Sequence, residues 1–482
     1  MHSEPLEHEI GIVKAVKQYL VSIEGLPSAH VHDVVKRDDG ARALVTSLRH
    51  DAVEAMMLDQ CDVAPGQTFL LQQQTPQLYF GPQLFGRVVN ALCDPVDGKG
   101  ALPPKNAHLE LDRSAGVVAE RALVTEQLET GYSMTDTVLP IGRGQRQLLM
   151  GPVQSGVEVF ATEVMKQQAA VHGVNIYVIV GKQPAYIERV ARDLFSADGA
   201  DRTILVVSGA YDGTPLNTIT PAVGVSLAEH FGRQGEHVLL VVDDLYAHAK
   251  YVREVSLQEG QLPGRESYPG DIFYRQAQLI ERAGSFKDAG TITFLPMLQT
   301  DMEGYADLIT TNIMGTTDGH LAFSSALYAQ GAFPSIVDDE SVTRVGRHTQ
   351  YVVQKQLSTA IITALSQAKA QERIAQFGTD VSGSTAEAIR IGAMLRTLLR
   401  QSEGDRLDRC VQATLLSLPF TTFAQDKDAS FFDVYRTQLV HALEHDAACK
   451  PVVHKVETAP DLGTFLEALE GIVSHITKAC RS

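Results

Sequence analysis

The middle of the chain alternates short, continuous apolar runs with amphipathic segments of helical period. Segments such as VEVFATEVMKQQAAVH and PAYIERVARDLF separate the apolar runs RQLLMG, NIYVIVG, TILVVSG and HVLLVVDD. Apolar runs that alternate with helices are typical of βαβ units, and strands that are apolar along their whole length belong to a parallel sheet covered on both faces. The sequence therefore predicts a central α/β domain with a mainly parallel sheet.

The N-terminal and C-terminal parts of the chain have different hydrophobic patterns from the middle. Residues 11–71 form short alternating runs broken by Gly, Pro and Asp-Asp turns, which predicts a small β-barrel. After about residue 351, segments rich in Ala, Gln, Leu and Arg repeat with helical period. A chain of 482 residues is long enough for two or three domains. We predict a β-barrel domain over 1–76, the α/β domain over 77–350 and an α-helical domain over 351–482.

Charge and cysteine content narrow the choice of partners. The chain has 41 Lys and Arg against 58 Asp and Glu, a net charge of −17, which argues against a nucleic-acid groove or an acidic membrane surface as partner. The five cysteines lack metal-ligand spacing, and no apolar run approaches the ~20 residues of a membrane span. We expect a reducing, cytoplasmic compartment, with proteins and small ligands as partners and no metal site at the cysteines or histidines.

One segment keeps the frame of a phosphate-binding loop without its chemistry. Residues 151–158 read GPVQSGVE between a predicted strand and a predicted helix, with glycines at the spacing of GxxxxGK[ST]. In a working loop the Lys neutralises phosphate and the hydroxyl holds Mg²⁺. We predict that the turn forms but has lost a cation and gained an anion. The degenerate nucleotide-binding set is Gly151, Pro152, Val153, Gln154, Ser155, Gly156, Val157 at the Lys position and Glu158 at the hydroxyl position.

Two strand ends could carry further chemistry. HVLLVVDD ends in Asp243 followed by Asp244, and the carboxylate of Asp243 could reach the metal of a bound Mg-nucleotide. A turn or helix cap would explain the same acidic pair. NIYVIVG is followed by Lys182, at the position where an ATPase of this architecture needs a carboxylate to orient the attacking water. An ammonium cannot accept that hydrogen bond. The loop cation, the Mg²⁺ hydroxyl and the water-orienting carboxylate are thus missing together, and we expect no ATPase activity from the isolated chain.

A set of motifs occurs in the same order as in one known family, from about residue 11 to the C-terminus. They are LFGRVVNALCDPVDGKG (84–100), IGRGQR (141–146), LPGRESYPGD (262–271), TNIMGTTDG (311–319), SVTRVG (341–346) and AQFGTD (375–380). In these motifs the chain resembles the alpha subunit of the F-type ATP synthase. The resemblance implies a β-barrel, a RecA-like phosphate-loop nucleotide domain and a helical domain.

The resemblance also implies an assembly and a role. Alpha and beta subunits of that family alternate in a hexameric ring around a central shaft, with a peripheral stalk, on the inner face of the cell membrane. Beta makes or hydrolyses ATP in coupling to proton or sodium transport, whereas alpha binds Mg-ATP without turnover and extends an arginine to the beta nucleotide. Arg344, in SVTRVG, occupies that position, and Gln401 occupies the position of an adenine contact.

The departures from the family pattern concern the chain's own site. Lys182 replaces the family's glutamine, so we expect Mg-ATP or Mg-ADP to bind weakly, if at all. We hypothesise that Glu158 and Lys182 form an ion pair that fills the pocket, because a buried unpaired carboxylate would be costly. The leading interpretation is a non-catalytic ring subunit. The alternative is a decayed alpha-like paralogue that acts as a regulatory or structural module, and the net acidity disfavours an RNA-translocating hexamer.

Overall fold

The computed structural model describes residues 9–72, 74–116, 118–171, 173–196, 200–300, 307–376 and 383–480. Residues 377–380 of the AQFGTD motif lie outside these ranges. The chain forms two compact units. The first comprises residues 1–122 and 168–317, and the second comprises residues 123–167 and 318–482.

The strands of the described residues, in chain order, are β1 (Ile10–Lys17), β2 (Leu20–Glu24), β3 (Val34–Lys36), β4 (Arg42–Leu48), β5 (Val53–Met57), β6 (Thr68–Leu71), β7 (Gln77–Leu78), β8 (Arg87–Asn90), β9 (Ala107–His108), β10 (Gln147–Pro152), β11 (Val174–Lys182), β12 (Thr203–Gly209), β13 (Val238–Asp243), β14 (Gly284–Ser285), β15 (Thr291–Thr300), β16 (Gly319–Ala322) and β17 (Val342–Thr343).

The α-helices of the same residues are α1 (Val157–Ala170), α2 (Pro184–Phe195), α3 (Thr214–Arg233), α4 (Leu245–Gln258), α5 (Ile272–Glu281), α6 (Leu308–Thr316), α7 (Ser325–Ala329), α8 (Val352–Gln376), α9 (Gly383–Leu399), α10 (Arg409–Ser417), α11 (Ala429–His445), α12 (Lys450–Val453), α13 (Lys455–Thr458), α14 (Leu462–Glu470) and α15 (Val473–Ala479).

The first unit opens with the predicted barrel. Its six antiparallel strands close in the order β1-β2-β5-β4-β3-β6, with β6 paired back onto β1. Side chains alternate along the strands, and the inward set, which includes Ile23, Val45 and Phe69, is fully buried. Closure leaves the short strands without an exposed edge. The barrel predicted from the alternating pattern is confirmed, whereas a domain boundary at residue 76 stays a prediction.

The first unit also contains a parallel sheet, in the order β8-β12-β11-β13-β15. The strands β12 and β13 are buried along their whole length, as their unbroken apolar sequences predict. Helix α2 packs on β12, and α3 packs on β11 and β13. Because parallel strands end at one edge of a sheet, β11, β13 and β15 bring their last residues together there.

The second unit combines a small sheet with the C-terminal helices. Strand β10 pairs in parallel with β16, and β17 adds to β16 in antiparallel orientation. Helix α8 packs on α9, α9 on α11, and α14 on α8. Aspartates that cap the first turn begin α10, α11 and α14, which explains where these helices start. The predicted helical character of the C-terminal region is confirmed.

One buried carboxylate holds part of the second unit together. Asp136 lies in a single π-helical turn, Met134–Val138, and is fully buried. It accepts hydrogen bonds from the backbone N–H groups of Thr130 and Gly131, both at 2.8 Å, and from the side chain of Gln412 on α10 at 3.0 Å. Burial nevertheless outweighs these bonds and raises the pKa of Asp136 to about 6.

This pKa predicts a pH dependence of stability. A carboxyl group with a folded-state pKa of about 6 and an ordinary value of 3.8 stabilises the fold fully below the lower value and loses that contribution as the pH rises through the higher one. Asp136→Asn cannot ionise and does not lose this contribution. We therefore expect the melting temperature of Asp136→Asn minus that of the wild type to be larger at about pH 7.5 than at about pH 4.5. Exposed Asp433→Asn is the control. An equal difference from the wild type at both pH values would show that Asp136 does not titrate in this range.

Candidate functional site

The ammonium group of Lys182 lies among oxygen atoms at the edge of the first unit's parallel sheet. Lys182 is the last residue of β11, and its Nζ lies 3.1 Å from Oδ1 of Asp243 and 3.2 Å from Oδ2 of Asp244. A third oxygen, Oε1 of Gln299 on β15, accepts a hydrogen bond from Nζ at 2.6 Å. The ammonium group donates hydrogen bonds to Asp244 and Gln299, and its contact with Oδ1 of Asp243 is an ion pair that is not aligned as a hydrogen bond.

The remaining carboxylate oxygens of the pair also have partners. Oδ2 of Asp243 accepts hydrogen bonds from the hydroxyl groups of Tyr177, at 3.3 Å, and Tyr186. Oδ1 of Asp244 accepts from the backbone N–H of Ala247 and caps α4. The helix cap that the sequence offered as an alternative is therefore present, and Asp244 makes it at the start of α4. Asp243 is the last residue of β13.

Burial makes these charges depend on one another. Asp243 and Asp244 are 0% and 5% exposed. Burial alone would lower the pKa of Lys182, but the two neighbouring carboxylates outweigh burial and raise it. Burial raises the pKa of Asp244, against the opposing effect of Lys182. Lys182 is thus positively charged at neutral pH and is held by groups of its own unit.

The degenerate loop of the second unit forms the predicted turn between β10 and α1. Gln154 and Gly156 have positive φ angles of 64° and 79°, and the N–H of Ser155 donates to the carbonyl of Pro152 at 3.2 Å. A side chain at Gly156 would meet the ring of Tyr328 at 2.5 Å. The loop therefore needs this glycine both for its conformation and for the close approach of the ring.

The side chains of the loop do not provide a phosphate site. Val157 is fully buried, so an apolar contact replaces the missing loop cation. Glu158 is half-buried in the first turn of α1. The amino end of a helix attracts anions, and here the chain supplies its own carboxylate at that end. Gly151, Pro152 and Ser155 are buried as well, while Val153 and Gln154 are exposed.

Gln401 is committed to the backbone of its own unit. Its amide oxygen accepts from the N–H of Ser133 at 2.6 Å, and its amide nitrogen donates to the carbonyls of Gly131 at 2.9 Å and Asp405 at 2.5 Å. The side chain is 5% exposed. Contact with an adenine stays a prediction.

Arg344 is arranged in the opposite way. It follows β17, and its backbone N–H donates to the carbonyl of Asp318 at 3.1 Å. Asp318 is itself fixed by two side-chain hydrogen bonds from Arg146, at 2.7 and 2.9 Å. The side chain of Arg344 is exposed, and in the described part of the chain its guanidinium has no hydrogen-bond or ion-pair partner. The backbone at Arg344 is thus fixed, while its charged group is exposed and has no such partner among the described residues.

Neither the loop of the second unit nor the Asp243 and Asp244 pair of the first unit, each taken by itself, fits a Mg-nucleotide. The loop offers Val157 and Glu158 where phosphate would need a cation and the metal a hydroxyl. Three of the four carboxylate oxygens of Asp243 and Asp244 accept hydrogen bonds within the chain, and the fourth, Oδ1 of Asp243, is paired with the ammonium group of Lys182. Among the described residues, no group of three or more His, Cys, Asp or Glu is placed to hold a metal ion.

The structure brings together some predicted site residues and adds others. Lys182 and Asp243 were selected separately from sequence and are in contact. The pair that we predicted between Lys182 and Glu158 stays a prediction. Sequence reasoning missed Gln299, although it is a polar residue at the end of the apolar run TITFLPMLQT, and the same strand-end rule could have found it. It also missed the hydroxyls of Tyr177 and Tyr186.

The fold and the loop define a class. A parallel sheet with acidic residues at its carboxyl edge, and a strand, glycine turn and helix in the GxxxxG frame, belong to phosphate-loop nucleotide-binding proteins and their descendants. The profile of the ATP synthase alpha/beta family, nucleotide-binding domain, matches residues 131–343.

Two relatives extend this match over most of the chain. ATP synthase subunit alpha of Rickettsia bellii is 33% identical over 408 residues, which cover 82% of this chain and 79% of the relative. ATP synthase subunit alpha of Metamycoplasma arthritidis is 30% identical over 472 residues, which cover 97% and 89%. The chain belongs to the family of F-type ATP synthase alpha subunits. No helix within the described ranges is long and apolar enough to span a membrane.

Proposed function

We propose that this chain is a non-catalytic alpha-type subunit of a rotary ATP synthase or ATPase ring, and that it supplies Arg344 in trans to the catalytic site of a beta-type partner. The observation that carries the proposal is the contrast between Arg344 and the chain's own site. The guanidinium of Arg344 is exposed and has no partner in the described residues, whereas the groups that should bind nucleotide in cis are replaced or occupied.

The chemistry of phosphoryl transfer agrees with this division. A guanidinium delivered from a neighbouring subunit stabilises the charge that develops on the transferring phosphoryl group, and this is worth ~10³ to 10⁵ in rate. Its effect depends on reaching the neighbour's nucleotide and not on any ligand bound in its own subunit. A chain that lost its own site could therefore keep this role unchanged.

The proposal includes the assembly. The chain would alternate with the beta-type subunit in a hexameric ring, in contact with a central shaft and a peripheral stalk, at the cytoplasmic face of a membrane sector that transports protons or sodium ions. Membrane contact would then be indirect, through that sector, and nucleic acid would have no part. The names and extents of the matched relatives support this placement.

Coexpression with a beta-type partner tests the proposal. The ring should hydrolyse ATP and should lose that activity when Arg344 is replaced, although the replaced residue lies outside the catalytic subunit. If the activity does not depend on Arg344, the chain would instead be a structural or regulatory module without a role in turnover.

A further inference from the structure

The environment of Lys182 is the one that a divalent metal ion would use. Carboxylate and amide oxygens, with water, are the ligands that Mg²⁺ prefers, and in phosphate-loop enzymes an acidic residue at a strand end reaches the metal. Here Asp243, Asp244 and Gln299 supply such oxygens at the ends of neighbouring strands, and all three face the ammonium group at 2.6 to 3.2 Å.

Each carboxylate oxygen of the pair has a partner in the first unit, and for the buried Oδ1 of Asp243 that partner is the ammonium group of Lys182, in an ion pair that is not aligned as a hydrogen bond. Each aspartate gives one oxygen to Lys182, and the other is taken by Tyr177 and Tyr186 or by the N–H of Ala247. A metal ion would have to displace the ammonium group to reach Asp243 and Asp244 on this side. The displaced ammonium would then need new partners, because Lys182 is only 15% exposed.

The charges agree with the geometry. With both carboxylates ionised, the aspartate pair carries −2, and Lys182 reduces this to −1 inside the unit. The ammonium group does this through its three N–H groups, whereas Mg²⁺ would bring several bound waters with it. The side chain of Lys182 therefore provides a positive charge at a position near which phosphate-loop enzymes bind Mg²⁺.

We propose that Lys182 is a built-in cation that takes the place of a divalent metal ion at Asp243 and Asp244 and keeps one from binding. The inference deepens the proposed function and rests on it for its biological meaning, because it explains why this subunit's own site would be independent of Mg-nucleotide. The latent site is revealed by removing the ammonium while keeping both carboxylates.

Binding of Mn²⁺ to the purified full-length chain tests this inference. Electron paramagnetic resonance measures free Mn²⁺ directly, so the bound fraction is obtained by titration. We expect Lys182→Gln to bind Mn²⁺ about 100-fold more tightly than the wild type, because it exposes two carboxylates and adds an amide oxygen. Mn²⁺ should also raise the melting temperature of Lys182→Gln and leave that of the wild type unchanged.

Two control variants assign the gained site. Lys182→Arg keeps the positive charge and should bind no more Mn²⁺ than the wild type. Lys182→Gln combined with Asp243→Asn and Asp244→Asn keeps the shape and the helix cap but should lose the gained binding. Circular dichroism of each variant confirms that it is folded.

Either of two results would overturn the inference. One is a folded Lys182→Gln that binds Mn²⁺ no better than the wild type. The other is that the wild type itself binds Mn²⁺ with a rise in melting temperature, and that Asp243→Asn abolishes this binding. This second measurement does not require a folded Lys182 variant. Both use the isolated chain, so they are independent of the activity of the ring, in which the role of Arg344 is measured.

Discussion

Replacing Arg344 with alanine should lower the ATP turnover of the ring formed with its beta-type partner by ~10³ to 10⁵. The guanidinium is exposed and has no hydrogen-bond or ion-pair partner within the described residues. The backbone N–H of Arg344 donates to the carbonyl of Asp318, and the side chain of Asp318 is fixed by Arg146. Removal of the guanidinium should leave the backbone of β17 in place and take away only the charge offered to the neighbour. Steady-state ATP hydrolysis by the purified, coexpressed ring measures this effect.

Two further substitutions separate the role of Arg344 from a general effect of charge. Arg344→Lys keeps the positive charge but loses the planar fork of donors, and we expect it to recover little of the lost rate. Arg347→Ala removes another exposed arginine three residues further along the chain and should leave the turnover near that of the wild type. Full activity of the Arg344→Ala ring would reduce Arg344 to a surface residue.

Replacing Lys182 with methionine should destabilise the first unit by ~3 to 5 kcal/mol, the range expected when one partner of a buried ion pair is removed. Methionine keeps most of the aliphatic length but leaves Asp243 and Asp244, 0% and 5% exposed, without their shared cation. Two buried carboxylates would then repel each other. The urea midpoint of unfolding of the full chain, followed by circular dichroism, measures the loss.

The same variant should show a characteristic pH response. Without the ammonium group, at least one of the two buried carboxyl groups should have a folded-state pKa above its unfolded value, so protonation favours the folded state and the loss should shrink as the pH falls. Adding Asp243→Asn to Lys182→Met should recover part of the lost stability at neutral pH. A midpoint equal to that of the wild type would mean that Lys182 is not needed to hold the aspartate pair.

Much of the fold was predictable because hydrophobic periodicity reflects burial directly. The unbroken apolar runs of β12 and β13 predicted buried parallel strands, and the alternation over residues 11–71 predicted the barrel. The turn of the loop was predictable for a local reason, since the glycine spacing and its position between β10 and α1 set the backbone path.

The partner of Lys182 was not predictable in the same way. The pair with Glu158, which rests on the expected position of the phosphate pocket, stays a prediction, while the structure shows carboxylate oxygens of Asp243 and Asp244 at 3.1 and 3.2 Å from the ammonium group. That contact depends on β11 lying beside β13 in the sheet, and strand order is not encoded in local periodicity. A lysine side chain is also long and flexible, so its target is decided by the nearest unsatisfied charge.

The hydrogen bonds of Gln401 were also not predictable from its motif. Its position in the family pattern suggests an adenine contact, which stays a prediction, while the structure shows that its amide group bonds the backbone at residues 131, 133 and 405. A glutamine can serve a ligand or its own fold with the same groups, and the choice depends on backbone atoms that are distant in sequence.

We propose that this chain has lost its own nucleotide site and has kept the arginine that would act on its neighbour. Calorimetric titration of Mg-ATP into the purified full-length chain tests the loss of that site most directly. A variant with Val157→Lys, Glu158→Thr and Lys182→Gln is the matched comparison, because it restores the loop groups and removes the built-in cation, and it should bind more tightly than the wild type. We predict no saturable binding to the wild type up to about 1 mM, whereas one-site binding with a Kd of about 1 μM, some 4 kcal/mol stronger, would contradict the account.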